Sequence, residues 1–136
     1  MAKFGVQSWT RLQTCHPSII LVFKQVIEIF DVTVLCGFRD EVSQNLAYPK
    51  YTRVKWPDSK HNKIPSLAVD VIPYDSVRKR VVAWDDVESF ALMAGYILCT
   101  AKQLGVELRW GHDWNNNTIL SDEVGKLADR PHFELI

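Results

Sequence analysis

Behind Pro17, apolar residues recur at Ile20, Phe23, Ile27 and Phe30. This is the spacing of an amphipathic helix with proline in its first turn. Asp31 to Leu35 then reads as a β-strand closed by Gly37, and Asp40 can cap a short helix running to Tyr48, where Pro49 stops it. Residues 49–66 hold three prolines and many polar groups, the composition of a loop. Leu67 to Ile72 is apolar at every position but Asp70, the pattern of a strand covered on both faces. Asp85 or Asp86 starts the longest helix; Phe90, Ala94, Ile97, Leu98, Ala101 and Leu104 mark its core face, and Gly105 ends it. Val106 to Trp110 and Pro131 to Leu135 read as further strands around a polar loop. The expected architecture is α+β, a small and mostly antiparallel sheet with helices packed on it, forming a single domain over residues 1–136.

Composition narrows the function. Lys plus Arg and Asp plus Glu are 16 each, for a formal net charge of zero. That argues against binding to nucleic acid through bulk charge and against a polybasic membrane binder. The stretch Ile19 to Phe30 is short and broken by Lys24, Gln25 and Glu28, and MAKFGVQSW lacks the apolar run of a secretory signal. A soluble monomer made in the cytoplasm is therefore expected. Cys15, Cys36 and Cys99 are odd in number and widely spaced. No disulfide framework and no cysteine metal ligand are expected, with Cys99 serving as a small buried hydrophobe.

An ionised carboxylate in a two-sided apolar strand costs several kcal/mol unless a cation or hydrogen bonds compensate it. Asp70 therefore calls for a partner. His61 lies nine residues upstream, and His132 sits in the last strand. Either histidine alone is ordinary, solvated in a loop or hydrogen-bonded in a core. With Asp70 they form a two-His, one-carboxylate set for zinc that leaves a fourth tetrahedral position open for water, as in catalytic sites.

The strings GFRDEVSQNLAY, SKHNKIPSLAVDVIPY, ALMAGYILCTAKQLGVELRWGHDW and DRPHFEL resemble the D-alanyl-D-alanine carboxypeptidase and L-alanyl-D-glutamate peptidase family of zinc peptidases. They resemble in particular its small single-domain members that bacteriophages encode as endolysins. The likeness runs from about Thr14 to the C-terminus, and its ordered set SxH, AxD and PHF is specific as a whole. It implies an α+β fold with one zinc at the sheet, a site shared with lysostaphin-type peptidases and the hedgehog signalling domain. His61, Asp70 and His132 match the zinc ligands, Asp129 the catalytic carboxylate, Arg39 the arginine that contacts substrate near the reacting carbonyl, and Ser59 a residue lining the cleft. The chain departs from the usual pattern in a longer His-to-Asp gap, which resembles phage members, and in Gly111-His112-Asp113-Trp114 where Gly-Gly-Asp-Trp is usual.

These residue types suit the chemistry. Zinc polarises a carbonyl and acidifies water, a carboxylate moves the proton, and a guanidinium stabilises the oxyanion or clamps a carboxylate. Pro131 holds Arg130 extended, so Asp129 can reach the site from a loop. Glu134, on the same strand face as His132, competes as base or as an orienting partner. Arg39 can alternatively pair with Asp40 or Glu41, and Ser59 can serve the turn at Asp58. His112 reads as a hydrogen-bonding loop residue rather than a fourth ligand, and Asp113 and Trp114 as packing and orienting groups. Trp56 can border the cleft, and His16 reads as a helix-start residue. The resemblance implies hydrolysis of the stem peptide of peptidoglycan, first as an L-alanyl-D-glutamate endopeptidase released to the wall through a holin. The alternatives are a D-alanyl-D-alanine carboxypeptidase and a non-catalytic zinc-stabilised binding domain.

Overall fold

The computed structural model describes residues 2–136. Its backbone is a sheet of order β1-β2-β5-β4, with every pairing antiparallel. The strands are β1 (Val32–Cys36), β2 (Ala68–Asp75), β3 (Arg80–Val81), β4 (Leu108–Trp110) and β5 (His132–Leu135), with β3 folding back on the end of β2 as a short hairpin. The helices are α1 (Val6–Leu12), α2 (Pro17–Ile29), α3 (Glu41–Ala47) and α4 (Val87–Gln103). The α+β architecture agrees with the hydropathy pattern.

The sheet's two faces have different jobs. Side chains alternate across a strand. Val69 and Val71 of β2 and Phe133 of β5 therefore share the face that α2 and α4 cover, with Phe23 meeting Phe133 edge-on at 6.5 Å between ring centroids. Phe23, Phe133, Phe90 and Ile97 are all fully buried there. Asp70 of β2, with His132 and Glu134 of β5, alternate onto the opposite face. In the register Asp70 lies directly across from His132, and Arg109 across from Glu134. The chemistry is thus laid on the back of the hydrophobic core.

Local signals place the helices. Pro17 opens α2 with the His16 imidazole accepting from the Ser18 N–H, as expected of a helix-start residue. Asp40 caps α3 through the Ser43 N–H, and Asp86 caps α4 through the Ser89 N–H. Three expectations change. The buried face of α4 is Phe90, Met93, Ala94, Ile97, Thr100 and Ala101, with Leu98 only partly buried and Leu104 exposed at the end. Cys99 is exposed, on the solvent side of that helix. The last strand begins at His132 and β4 at Leu108, one and two residues later than expected.

Helix α1 was not legible in the pattern. It has seven residues and no side-chain cap, but it covers the outer edge of β1. There the Ser8 hydroxyl accepts from the Val34 N–H, and Arg11 donates to the Val34 carbonyl, each at 3.0 Å. These bonds satisfy edge groups that would otherwise stand open to another strand. Gly37, just past β1, lies against the end of α1 so closely that a Cβ would sit 2.3 Å from Thr14 Oγ1 and 2.4 Å from the Arg11 carbonyl. By contrast, a Cβ on Gly95, in the exposed middle of α4, meets nothing within 4 Å.

These two glycines give opposite expectations. Gly37→Ala should destabilise the fold by about 1–3 kcal/mol, the usual range for overpacking against backbone that cannot yield. Gly95→Ala should stabilise it by about 0.5–1 kcal/mol through helix propensity. Urea unfolding followed by circular dichroism measures both. Equal effects of the two substitutions would contradict the packing described.

Candidate metal centre and cleft

Three acceptor atoms converge on one point above the sheet. His61 Nε2 lies 3.2 Å from Asp70 Oδ1 and 3.3 Å from His132 Nδ1, and His132 Nδ1 lies 3.1 Å from Asp70 Oδ1. Tetrahedral ligands bound at about 2.0–2.1 Å lie about 3.3 Å apart, so this triangle has the size of one face of a metal's coordination shell.

The outer nitrogens fix which lone pairs point inward. His61 Nδ1 is 2.7 Å from the Gly37 carbonyl, which can only accept, so that nitrogen carries the proton and Nε2 faces the triangle bare. His132 Nε2 is 2.9 Å from Glu134 Oε1, which assigns its proton to Nε2 and its lone pair to Nδ1. Each ligand thus has the outer partner that orients a metal-bound imidazole. Without a cation or a proton, two nitrogen lone pairs and a carboxylate would face one another unshielded.

Folding sets each position. His61 sits in a 3₁₀ turn, Lys60–Asn62, capped by reciprocal bonds: the Ser59 hydroxyl accepts from the His61 N–H, and Asn62 Oδ1 accepts from the Ser59 N–H. Ser59 therefore does the turn's work while also lining the cleft. Asn62 and the fully buried Gln44 tie this turn to α3. The Asn62 amide donates to the Arg39 carbonyl and to Gln44 Oε1. Glu134 is held from its other side by Arg109 at 2.8 Å and Lys60 at 3.1 Å, and Lys60 also donates to the Leu135 carbonyl.

The site's titrations follow from this crowding. Burial favours neutral imidazoles, but ionised Asp70 outweighs it and raises His61 to about 10. Burial opposes the charged form of His132 as well, yet its bonds to Asp70 and Glu134 raise it to about 9. Burial would raise Asp70, but the two histidines hold its carboxyl well below the ordinary carboxylate range. Glu134 falls to about 2 despite burial, through His132 and Arg109. Without a metal, the triangle holds at least one extra proton at neutral pH.

Arg39 is not on the surface with Asp40 or Glu41. Its guanidinium reaches Asp70 Oδ2 at 3.4 Å and Gln44 Oε1 at 3.1 Å, so the two oxygens of Asp70 are divided between Arg39 and the triangle. Asp129 arrives from the loop before β5, its Oδ2 4.0 Å from His132 Nδ1 and its side chain 46% exposed at the cleft. Burial, followed by the nearby charge of Asp70, raises its pKa. Its backbone N–H donates to the Gly111 carbonyl at 2.7 Å, and a Cβ on Gly111 would come within 2.2 Å of the Asp129 carbonyl.

His112 packs edge-on against Trp110 at 5.2 Å, away from the triangle. Asp113 is buried and accepts from the Asn117 and Thr118 N–H groups, which shapes the loop. Trp114 donates its indole N–H to the Leu127 carbonyl and lies 6.0 Å from the His132 ring, forming one wall. Trp56 is not among the residues lining the cleft.

Cys36 departs from the expectation for the cysteines. Its ligand atom and those of His61 and Asp70 all lie within 4.8 Å of one another. A register shift between Val34 and Cys36 places Cys36 opposite Asp70, as bulges beside sites commonly re-aim a side chain. The thiol stands behind the cluster, outside the cleft lining. Period-two alternation alone cannot reveal a bulge, so the sequence carried no signal for this placement. Cys15 is a buried core thiol, pushed up to about 12 by burial.

The triangle opens onto a cleft of about 520 Å³ between residues 51–60 and the Trp114 to Asp129 loop. The chain is 31% identical over 139 residues to the L-alanyl-D-glutamate peptidase of Escherichia phage T5, covering 98% of each. It shares its fold with the crystal structure of the Serratia marcescens L-Ala D-Glu endopeptidase ChiX, at a TM-score of 0.75 and 23% identity, over 98% of this chain and 89% of that one. The family model for phage L-alanyl-D-glutamate peptidases matches residues 1–136. The chain belongs to the phage L-alanyl-D-glutamate peptidase family.

Proposed function

We propose that this protein is a zinc metallopeptidase that hydrolyses the amide between L-alanine and D-glutamate in the stem peptide of peptidoglycan. The observation that carries the reading is the triangle of His61, Asp70 and His132, with edges of 3.1–3.3 Å and both outer nitrogens committed elsewhere, open to a cleft. Two imidazoles and one carboxylate are a donor set that suits zinc and leaves a coordination position for chemistry. Zinc bound there supplies Lewis acidity, polarising the carbonyl and lowering the pKa of water to about 7.

The protein's own groups do the rest. Asp129 takes the proton of the attacking water and returns it to the leaving amine of D-glutamate; its raised pKa suits a group that must do both. Glu134 is the orienting partner of His132, because its oxygens are engaged by His132, Arg109 and Lys60. Arg39 steadies Asp70 and turns its remaining guanidinium edge to the oxyanion as the carbonyl is attacked. Ser59 and Trp114 contact the peptide along the cleft walls. All these residues come from one chain, which supports action as a monomer. Family membership supports the role of an endolysin made in the host cytoplasm and released to the wall through a holin-opened membrane. No described helix is long and apolar enough to cross a membrane itself.

Digesting purified peptidoglycan and identifying the new amino termini by mass spectrometry tests the bond. D-glutamate termini are expected, whereas released D-alanine would overturn the assignment in favour of a carboxypeptidase. His132→Ala should lose both the metal and activity, and chelation should abolish hydrolysis until zinc is returned. Full activity without metal would sink the reading.

Asp129→Ala should retain stoichiometric zinc and lose at least about a hundredfold in kcat, the lower end for general acid–base catalysis. Glu134→Gln should instead weaken zinc binding, by about tenfold to a hundredfold. A chelator competition and a rate measurement on each variant separate the two roles. The reverse pattern would make Glu134 the base.

Stability should depend on pH in this range only when the site is metal-free. His61 and His132 are raised from 6.5 to about 10 and about 9 in the metal-free protein. Their contribution is therefore complete below about pH 6.5 and lost as pH rises through 9 to 10. The metal-free Tm should fall between about pH 7 and 10, while zinc, by holding both imidazoles neutral, removes that component. Thermal scans with and without chelator measure it, and a metal-free Tm that rises over this range would contradict the charge assignment.

A further inference from the structure

The cleft beside the triangle carries three cations, Arg39, Arg53 and Lys60. Two are committed. Arg39 is bonded to Asp70 and Gln44, and Lys60 to Glu134 and the Leu135 carbonyl. Arg53 has no ion pair or side-chain hydrogen bond among the described residues, although Asp58 lines the same cleft. An exposed arginine on a cleft wall, with its guanidinium unpaired, is a receptor for a planar anion.

Its backbone is nevertheless well placed. Gln44 Nε2 donates to the Val54 carbonyl at 2.7 Å, the Val54 N–H donates to Thr52 Oγ1, and the Tyr51 and Thr52 N–H groups return to the Ala47 carbonyl. The same buried Gln44 accepts from Arg39 and from Asn62, beside His61. One side chain thus fixes the Arg53 segment relative to the triangle.

The substrate's chemistry supplies the anion. A glutamate whose nitrogen lies in the scissile bond has two carboxyl groups, and only one of them can continue the peptide. The other is free and ionised, a few bonds from the leaving amine. We infer that Arg53 is a specificity-determining residue that receives this free carboxylate in a paired, charge-assisted contact. The inference rests on the L-alanyl-D-glutamate reading above and adds the group that recognises the leaving side of the bond.

The test compares two synthetic stem peptides, L-alanyl-D-glutamyl with its free carboxylate intact and the same peptide with that carboxylate converted to the primary amide. The zinc-loaded full chain should cleave the acid with a kcat/KM about tenfold to a hundredfold above the amide, the worth of a charge-assisted pair. Arg53→Gln should bring that ratio close to one, acting mainly through KM, and Arg53→Lys should restore part of it. A ratio unchanged in Arg53→Gln, or a wild type that cuts both peptides equally well, overturns the inference while leaving the bond assignment standing. Failure of the wild type to cut either peptide overturns the bond assignment and the inference together.

Discussion

The structure turns on one carboxylate in the central strand. Asp70 sits between β1 and β5 with its side chain 16% exposed, where an uncompensated charge would cost several kcal/mol. Its oxygens are shared out, Oδ1 to the two imidazoles and Oδ2 to Arg39. Each compensating group then needs its own support. Gly37 and the capped turn hold His61; Glu134, Arg109 and Lys60 hold His132; Gln44 holds Arg39. Most of the polar interior on this face follows from accommodating one buried anion.

The opposite face explains how such a small domain tolerates that arrangement. His132 and Glu134 flank Phe133, which is fully buried under α2 and stacked near Trp110. Period-two alternation therefore anchors the polar pair through its apolar neighbour. A strand that is rigid because its other face is packed can hold ligands to within tenths of an ångström, the tolerance that a coordination shell demands.

That coupling also sets what the sequence could disclose. Asp70 was legible because it interrupts an apolar strand, and His61 and His132 because a buried anion needs partners. The helix caps at Asp40 and Asp86 were legible because capping is local. The core face of α4 was only partly so: Met93 and Thr100 share the stripe of Phe90, Ile97 and Ala101, while Leu104 lies past the last helical residue, where the covered stripe ends. Cys99 was misplaced because its apolar neighbours outweighed its helical phase, which sets it opposite Ile97. Cys36 depended on a bulge, and the orienting role of Glu134 depended on Arg109 and Lys60 reaching it across the sheet and from a distant turn.

Charge in the cleft gives the metal a second consequence. Arg39, Arg53 and Lys60 share the lining with Asp58, Asp70, Asp129 and Glu134, so with neutral histidines it carries an excess of one negative charge, which the proton held by the metal-free triangle offsets. A dication at the triangle would take that proton's place and leave the lining net positive beside the cleft, and its field would reach the cleft walls because low-dielectric protein partly encloses the site. On the reading proposed above, occupancy of the triangle would bear on both the reaction and the encounter with an anionic substrate. Four carboxylates in one cleft would then be part of a charge balance that includes the ion.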